Sequence, residues 1–136
     1  KNVFNSDRGG SPQLFIMDKN GDNIKRISKG RGVYGNPVWS PRGDLIAFTK
    51  LTQGNFHIGV MDTNGNNERV IVRDFSLESP AWSQNGRYLI FHRQKRSNLD
   101  GTGGEVSIHF IDITGYNERV IPTPLDGSDP AWSPLL

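Results

Sequence analysis

Pro37-Val-Trp-Ser-Pro-Arg-Gly-Asp-Leu-Ile-Ala-Phe48 and Pro80-Ala-Trp-Ser-Gln-Asn-Gly-Arg-Tyr-Leu-Ile-Phe91 are two copies of one pattern, and Pro130-Ala-Trp-Ser133 opens a third. The tryptophans stand 43 and 50 residues apart. A second block recurs in the same order, with Asp18-Lys-Asn-Gly21, Asp62-Thr-Asn-Gly65 and Asp112-Ile-Thr-Gly115 each following an apolar run. Ile24–Ile27, Glu68–Ile71 and Glu118–Ile121 close each unit. Self-similarity at this period, with several short strands per repeat, marks a β-propeller and not a helical solenoid.

Alternating apolar runs bounded by Gly, Pro, Asn and Asp predict about twelve strands of four kinds. The Trp-Ser strand is the innermost, a tight Gly turn leads to the second, and the Asp-x-x-Gly turn sends the third into the outer fourth. The expected architecture is all-β, a propeller of four-stranded antiparallel blades, with three blades' worth of strands, half of a six-bladed ring. The repeats are placed at 1–28 plus 129–136, 29–72 and 73–121. The chain is expected to begin inside a blade and end on an innermost strand. Since propellers have about four to eight blades, either residues precede Lys1 or two copies associate head to tail, each 129–132 strand completing the other's opening blade.

Composition narrows the function classes. Sixteen basic against fourteen acidic residues leave a formal charge of +2, too little for a nucleic-acid footprint. No cysteine occurs, so disulfide and thiol chemistry are excluded. No apolar run reaches the roughly 18 residues a spanning helix needs. The opening Lys1-Asn-Val-Phe4 carries no apolar signal region, which is expected of a processed or excised chain.

Catalysis is not expected. His57, His92 and His109 are the available bases, all inside predicted strands, and His57 and His109 are read as equivalent repeat positions, two residues apart from the analogous apolar sites, which a structural repeat explains. No Gly-x-Ser-x-Gly elbow occurs before a helix. Asp18-Lys-Asn-Gly-Asp-Asn23 imitates a calcium loop, but Gly21 stands fourth instead of sixth and Lys29 occupies the place of the bidentate Glu. No cofactor or metal is assigned. Trp39, Trp82 and Trp132 are expected to be wedges between blades.

The loops entering the innermost strands and those joining second to third strands share one propeller face. That face collects Ser6–Ser11, Leu51–Asn55 and Arg93–Glu105 with Lys29–Asn36, Arg73–Ser79 and Pro122–Asp129. Loops on a rigid scaffold carry recognition, and Arg31, Tyr34, Phe75, Leu77, Arg93 and Arg96 are the residue types that supply binding energy there. Glu78 and Asp129, with Asn36 in the matching place, are expected at the channel mouth. The competing reading tucks Phe75 and Leu77 into the blade edge.

The repeated Pro-x-Trp-Ser and Met-Asp-x-Asn-Gly units, the opening Phe4–Phe15 and the ending Pro130-Ala-Trp-Ser-Pro-Leu-Leu136 resemble the carboxyl-terminal half of the TolB propeller family. Arg93–Gly104 departs from the pattern by being about seven residues longer than its counterpart around Leu51–Gly54. The resemblance implies a non-enzymatic, periplasmic Tol–Pal component whose propeller docks the peptidoglycan-associated lipoprotein Pal, in envelope integrity and cell division, and which bacteriocin segments exploit. Two alternatives are the substrate-gating propeller of a prolyl-oligopeptidase-like peptidase, and an isolated half-propeller without retained binding.

Overall fold

The computed structural model describes residues 1–94 and 104–121. Among them are eleven strands and no helix, in three antiparallel sheets. The first sheet is β1 (Asn2–Ser6), β2 (Gln13–Met17) and β3 (Lys25–Arg26). The second runs β4 (Val33–Trp39), β5 (Leu45–Thr52), β6 (Asn55–Asp62), β7 (Arg69–Asp74). The third runs β8 (Leu77–Trp82), β9 (Tyr88–Gln94), β10 (Val106–Asp112), β11 (Arg119–Ile121). In all three, chain order equals spatial order. The predicted strand at 129–132 lies outside the described residues, as do Arg96 and Trp132.

Each recurring motif has a local physical task. The serines after Trp39 and Trp82 cap the hairpins that follow them. Ser40 Oγ accepts from the Leu45 amide at 3.2 Å and Ser83 Oγ from the Tyr88 amide at 3.0 Å, while the Gly43 and Gly86 amides return to the Ser40 and Ser83 carbonyls. In the outer turn the Gly65 amide donates to the Asp62 carbonyl at 2.9 Å, and Asn67, at φ 56°, donates its side-chain amide to the Asp62 carboxylate. Asn23 and Asn117 hold the same left-handed conformation after Gly21 and Gly115. Asn tolerates that region better than other non-glycine residues.

The sheets pack face to face. One face of the second sheet, through Ile46, Phe48 and Met61, buries against Leu14, Ile16 and Ile27 of the first sheet and its exit. Its other face, through Ala47, Ile58 and Val60, buries against Leu77, Trp82, Leu89, Phe91 and Ile111 of the third. Alternate residues of β5 thus serve two seams, as a two-sided buried strand requires. The sheets are also stitched by backbone, with the Tyr34 amide donating to the Pro12 carbonyl at 3.0 Å.

Trp39 and Trp82 sit in these seams. Trp82 is 7% exposed and its indole Nε1 donates to the Val38 carbonyl, on the inner strand of the preceding sheet, at 3.0 Å. Trp39 packs against the first seam, but its buried Nε1 has no acceptor among the described residues. The matching acceptor would come from an inner strand of the first sheet, which has none among the described residues.

Candidate docking face

One end of the sheets carries the β1–β2, β5–β6, β3–β4 and β7–β8 loops. Arg31 is exposed there, and Phe75 is 38% exposed. Arg93 lies lower, with 19% of its side chain exposed. Glu78 is placed by its backbone, opposite His92.

Tyr34 and Leu77 differ from the expectation of an accessible binding surface, since both are 0% exposed. The cause is a β-bulge in each inner strand. Pairing runs Trp39↔Ile46 but Tyr34↔Lys50, with the register slipping between Gly35 and Val38; β8 repeats this with Trp82↔Leu89, Leu77↔Arg93 and a slip between Glu78 and Ala81. The extra residue restores Tyr34 and Leu77 to the tryptophan's side of the sheet. Both therefore enter the seams.

Beneath this face each seam ends in a polar cluster. In the first, Lys50 Nζ meets Glu68 Oε2 at 3.0 Å and the Tyr34 hydroxyl donates to Glu68 Oε1 at 2.7 Å. Burial and the Glu68 hydrogen bond hold the Tyr34 phenol above its usual range. Burial alone would lower Lys50, but its hydrogen bonds to Tyr34 and Glu68 raise it above the ordinary ammonium value. In the second seam Arg93 grips Glu118 through both carboxylate oxygens, at 2.9 and 2.8 Å, and also pairs with Asp74.

The two clusters are repeat equivalents. Lys50 and Arg93 are 43 residues apart and Glu68 and Glu118 are 50 apart, the offsets of the tryptophans and of the turn aspartates. Gly30 lies against Tyr34 and Lys50 where the second seam places Asp74. The recurring pair was readable from those two offsets. Arg93 thus belongs to a seam-sealing ion pair before any contact with a partner.

His109 stands in the second cluster, its Nε2 2.8 Å from Ser107 Oγ and its Nδ1 2.8 Å from Glu118 Oε2. In space this is a Ser–His–Glu row. Its geometry is that of a packing cluster: Nδ1 is close to Glu118 without an aligned hydrogen bond, and Glu118 is already neutralised by Arg93. Burial pushes the imidazole below its ordinary value despite Glu118, and Arg93 adds to that. A base that must hold a proton is disfavoured there. His57 and His109 are not equivalent positions, because His57 pairs with Lys50 whereas the residue opposite Arg93 is Ser107. Among the described residues no group of three or more His, Cys, Asp or Glu is arranged to hold a metal ion.

The sequence matches the family model of the TolB beta propeller domain along residues 1–136. This chain belongs to that family. Curated relatives include the Tol-Pal system protein TolB of Gluconobacter oxydans, 54% identical over 76 residues, which cover 56% of this chain and 17% of the relative. That of Wolbachia pipientis wMel is 49% identical over 69 residues, 49% of this chain and 16% of the relative. The match therefore spans about one sixth of these relatives' length. Among solved structures, putative TolB from Agrobacterium tumefaciens superposes with TM-score 0.74 at 19% identity, covering 93% of this chain and 47% of that one. Acylaminoacyl peptidase from Pyrococcus horikoshii does so with TM-score 0.63 at 17% identity, covering 89% and 26%. Both likenesses concern the fold. No helix among the described residues is long and apolar enough to cross a membrane.

Proposed function

We propose that the chain is a non-enzymatic docking segment of a periplasmic Tol–Pal system, part of a larger propeller that binds a Pal-like lipoprotein and serves envelope integrity and division. The observation that carries this is the family match along the whole chain, joined to relatives named as Tol-Pal system proteins. The docking surface is the loop end built around Arg31 and Phe75, with Glu78 and Arg93 at its inner side and Arg96 and Asp129 contributed from outside the described residues. Bacteriocin segments are a second class of guest for the same loops. Tyr34 and Leu77 act beneath them as support.

The first sheet has three strands where the other two have four. The unmatched indole of Trp39 supports a fourth, inner strand there, supplied by a longer chain or, in this 136-residue chain, by a second copy. Sedimentation mass separates these: a dimer supports exchange between copies, and a folded monomer eliminates it. Calorimetry against the soluble domain of a peptidoglycan-associated lipoprotein tests the function. Saturable heat supports docking; a folded chain without heat contradicts it for this segment. The peptidase reading has a fold likeness alone behind it.

A further inference from the structure

At the opposite end of the sheets from the loops, the seam between the second and third sheets opens into a cleft of about 410 Å³ lined by Arg42, Arg87, Tyr88, Asp112, Ile113 and Thr114. That volume lies within the range of ligand clefts, about 300–1,000 Å³. The Arg42 stem crosses Gly86 so closely that a Cβ there would stand 2.8 Å from Arg42 Cδ, which steers the side chain along the seam. Arg87 enters from the next turn, its carbonyl fixed by the Ile113 amide at 3.0 Å. Tyr88 borders the cleft at the strand start, its ring turned to the other face of the third sheet, edge-on to Phe110 at 6.3 Å. A third guanidinium, Arg69, is anchored on the Ile113 carbonyl at the rim.

The charge is unbalanced. Among the described residues Asp112 is the single carboxylate of the lining; it accepts from the Thr114 amide at 2.9 Å and also feels the charges of Arg87 and Arg69, leaving Arg42 the guanidinium with no carboxylate acting on it there. Arg42 and Arg87 have no ion-pair partner among the described residues. At the first seam the corresponding cleft is lined by Lys1, Trp39, Gly43, Thr63 and Asn64, and Asp44 holds the repeat position of Arg87.

We propose that this cleft is a carboxylate-binding site for an acidic peptide segment, with Arg42 and Arg87 forking the carboxylate of a Glu or Asp side chain. Paired guanidinium donors match a carboxylate's two oxygens. Ile113, packed against the core of that seam, offers apolar wall to the methylenes behind it. Asp112 on the same wall disfavours a phosphate polymer, which would bring repeated charge against it, and accepts a peptide carrying one carboxylate among neutral amides. The site is separate from the loop face, so its occupancy is independent of the docking proposed above.

The test is an NMR titration of the arginine Nε–H resonances of the full chain with N-acetyl-Gly-Glu-Gly-amide, its Gln analogue and inorganic phosphate. The Glu peptide is expected to shift Arg42 and Arg87 together and the Gln peptide to leave them in place. Arg87→Gln should weaken the Glu peptide about tenfold, the loss of one charge-assisted hydrogen bond, with the unfolding midpoint unchanged. Equal response to Glu and Gln peptides overturns the site, as does unaltered binding by the folded R42Q/R87Q double variant. Phosphate binding as tight as the Glu peptide overturns its assignment to peptide carboxylates.

Discussion

The indole of Trp82 donates to the carbonyl of Val38 across the seam between the second and third sheets. One residue thereby joins two repeats by both packing and a directed bond. Trp82→Ala should lower the unfolding free energy by about 3–5 kcal/mol, the range for buried large aromatics. Trp82→Phe keeps most of the apolar contact and should lose about 1 kcal/mol of hydrogen bonding plus a smaller packing term. Urea midpoints of the two variants measure the difference; equal midpoints for Ala and parent would remove the wedge.

Glycines at the same turn position should differ in tolerance. Gly65, at φ +82°, lies against the Ile27 carbonyl of the neighbouring repeat, so an added Cβ collides with fixed backbone. Gly21, at φ +86°, faces open space. Gly21→Ala should cost about 1–2 kcal/mol for the left-handed conformation, and Gly65→Ala clearly more. Thermal melts of both variants test the order, and a reversed order would contradict this seam.

Acid should weaken the fold in two steps. Burial, then the charges of Arg73 and Lys50, hold His57 below its ordinary value of about 6.5. A depressed folded value means stability present above the unfolded value and lost as pH falls through the imidazole range. Asp112, lowered by the Thr114 amide, and Asp62, lowered first by the Asn66 amide, add a second loss in the carboxylate range. Urea midpoints against pH should show both, with His57→Gln reducing the upper step, the remainder belonging to His109, which burial also lowers, and leaving the lower step in place. An unchanged upper step in H57Q would show that His57 does not cause it.

Ser107 should be chemically inert despite its hydrogen bond to His109. Exposure of the folded chain to a fluorophosphonate probe, followed by mass spectrometry, is expected to leave it unmodified. A stoichiometric adduct at Ser107 would mean that the row is an active nucleophile and that the non-enzymatic reading fails.

Fold and site were legible to different degrees. Turn chemistry writes itself into sequence, because Gly43, Gly86 and the Asp-x-x-Gly turns must recur wherever the backbone repeats. The asparagine two residues beyond each turn glycine, at 23, 67 and 117, carried the same signal in its spacing. The burial of Tyr34 and Leu77 was hidden by the bulge after Gly35 and its counterpart in β8, since a single inserted residue reverses the in–out parity of everything before it. Arg93 looked like a surface anchor because its partners, Asp74 and Glu118, are remote in sequence and meet it only when neighbouring strands and sheets assemble.

The most direct measurement of the docking reading is amide hydrogen exchange of the chain with and without the soluble domain of a peptidoglycan-associated lipoprotein. Protection at 29–36, 53–55 and 73–77 is the expected result. Protection confined to the opposite turns, 40–44 and 83–87, or none while binding is saturated, would contradict the assignment of that face.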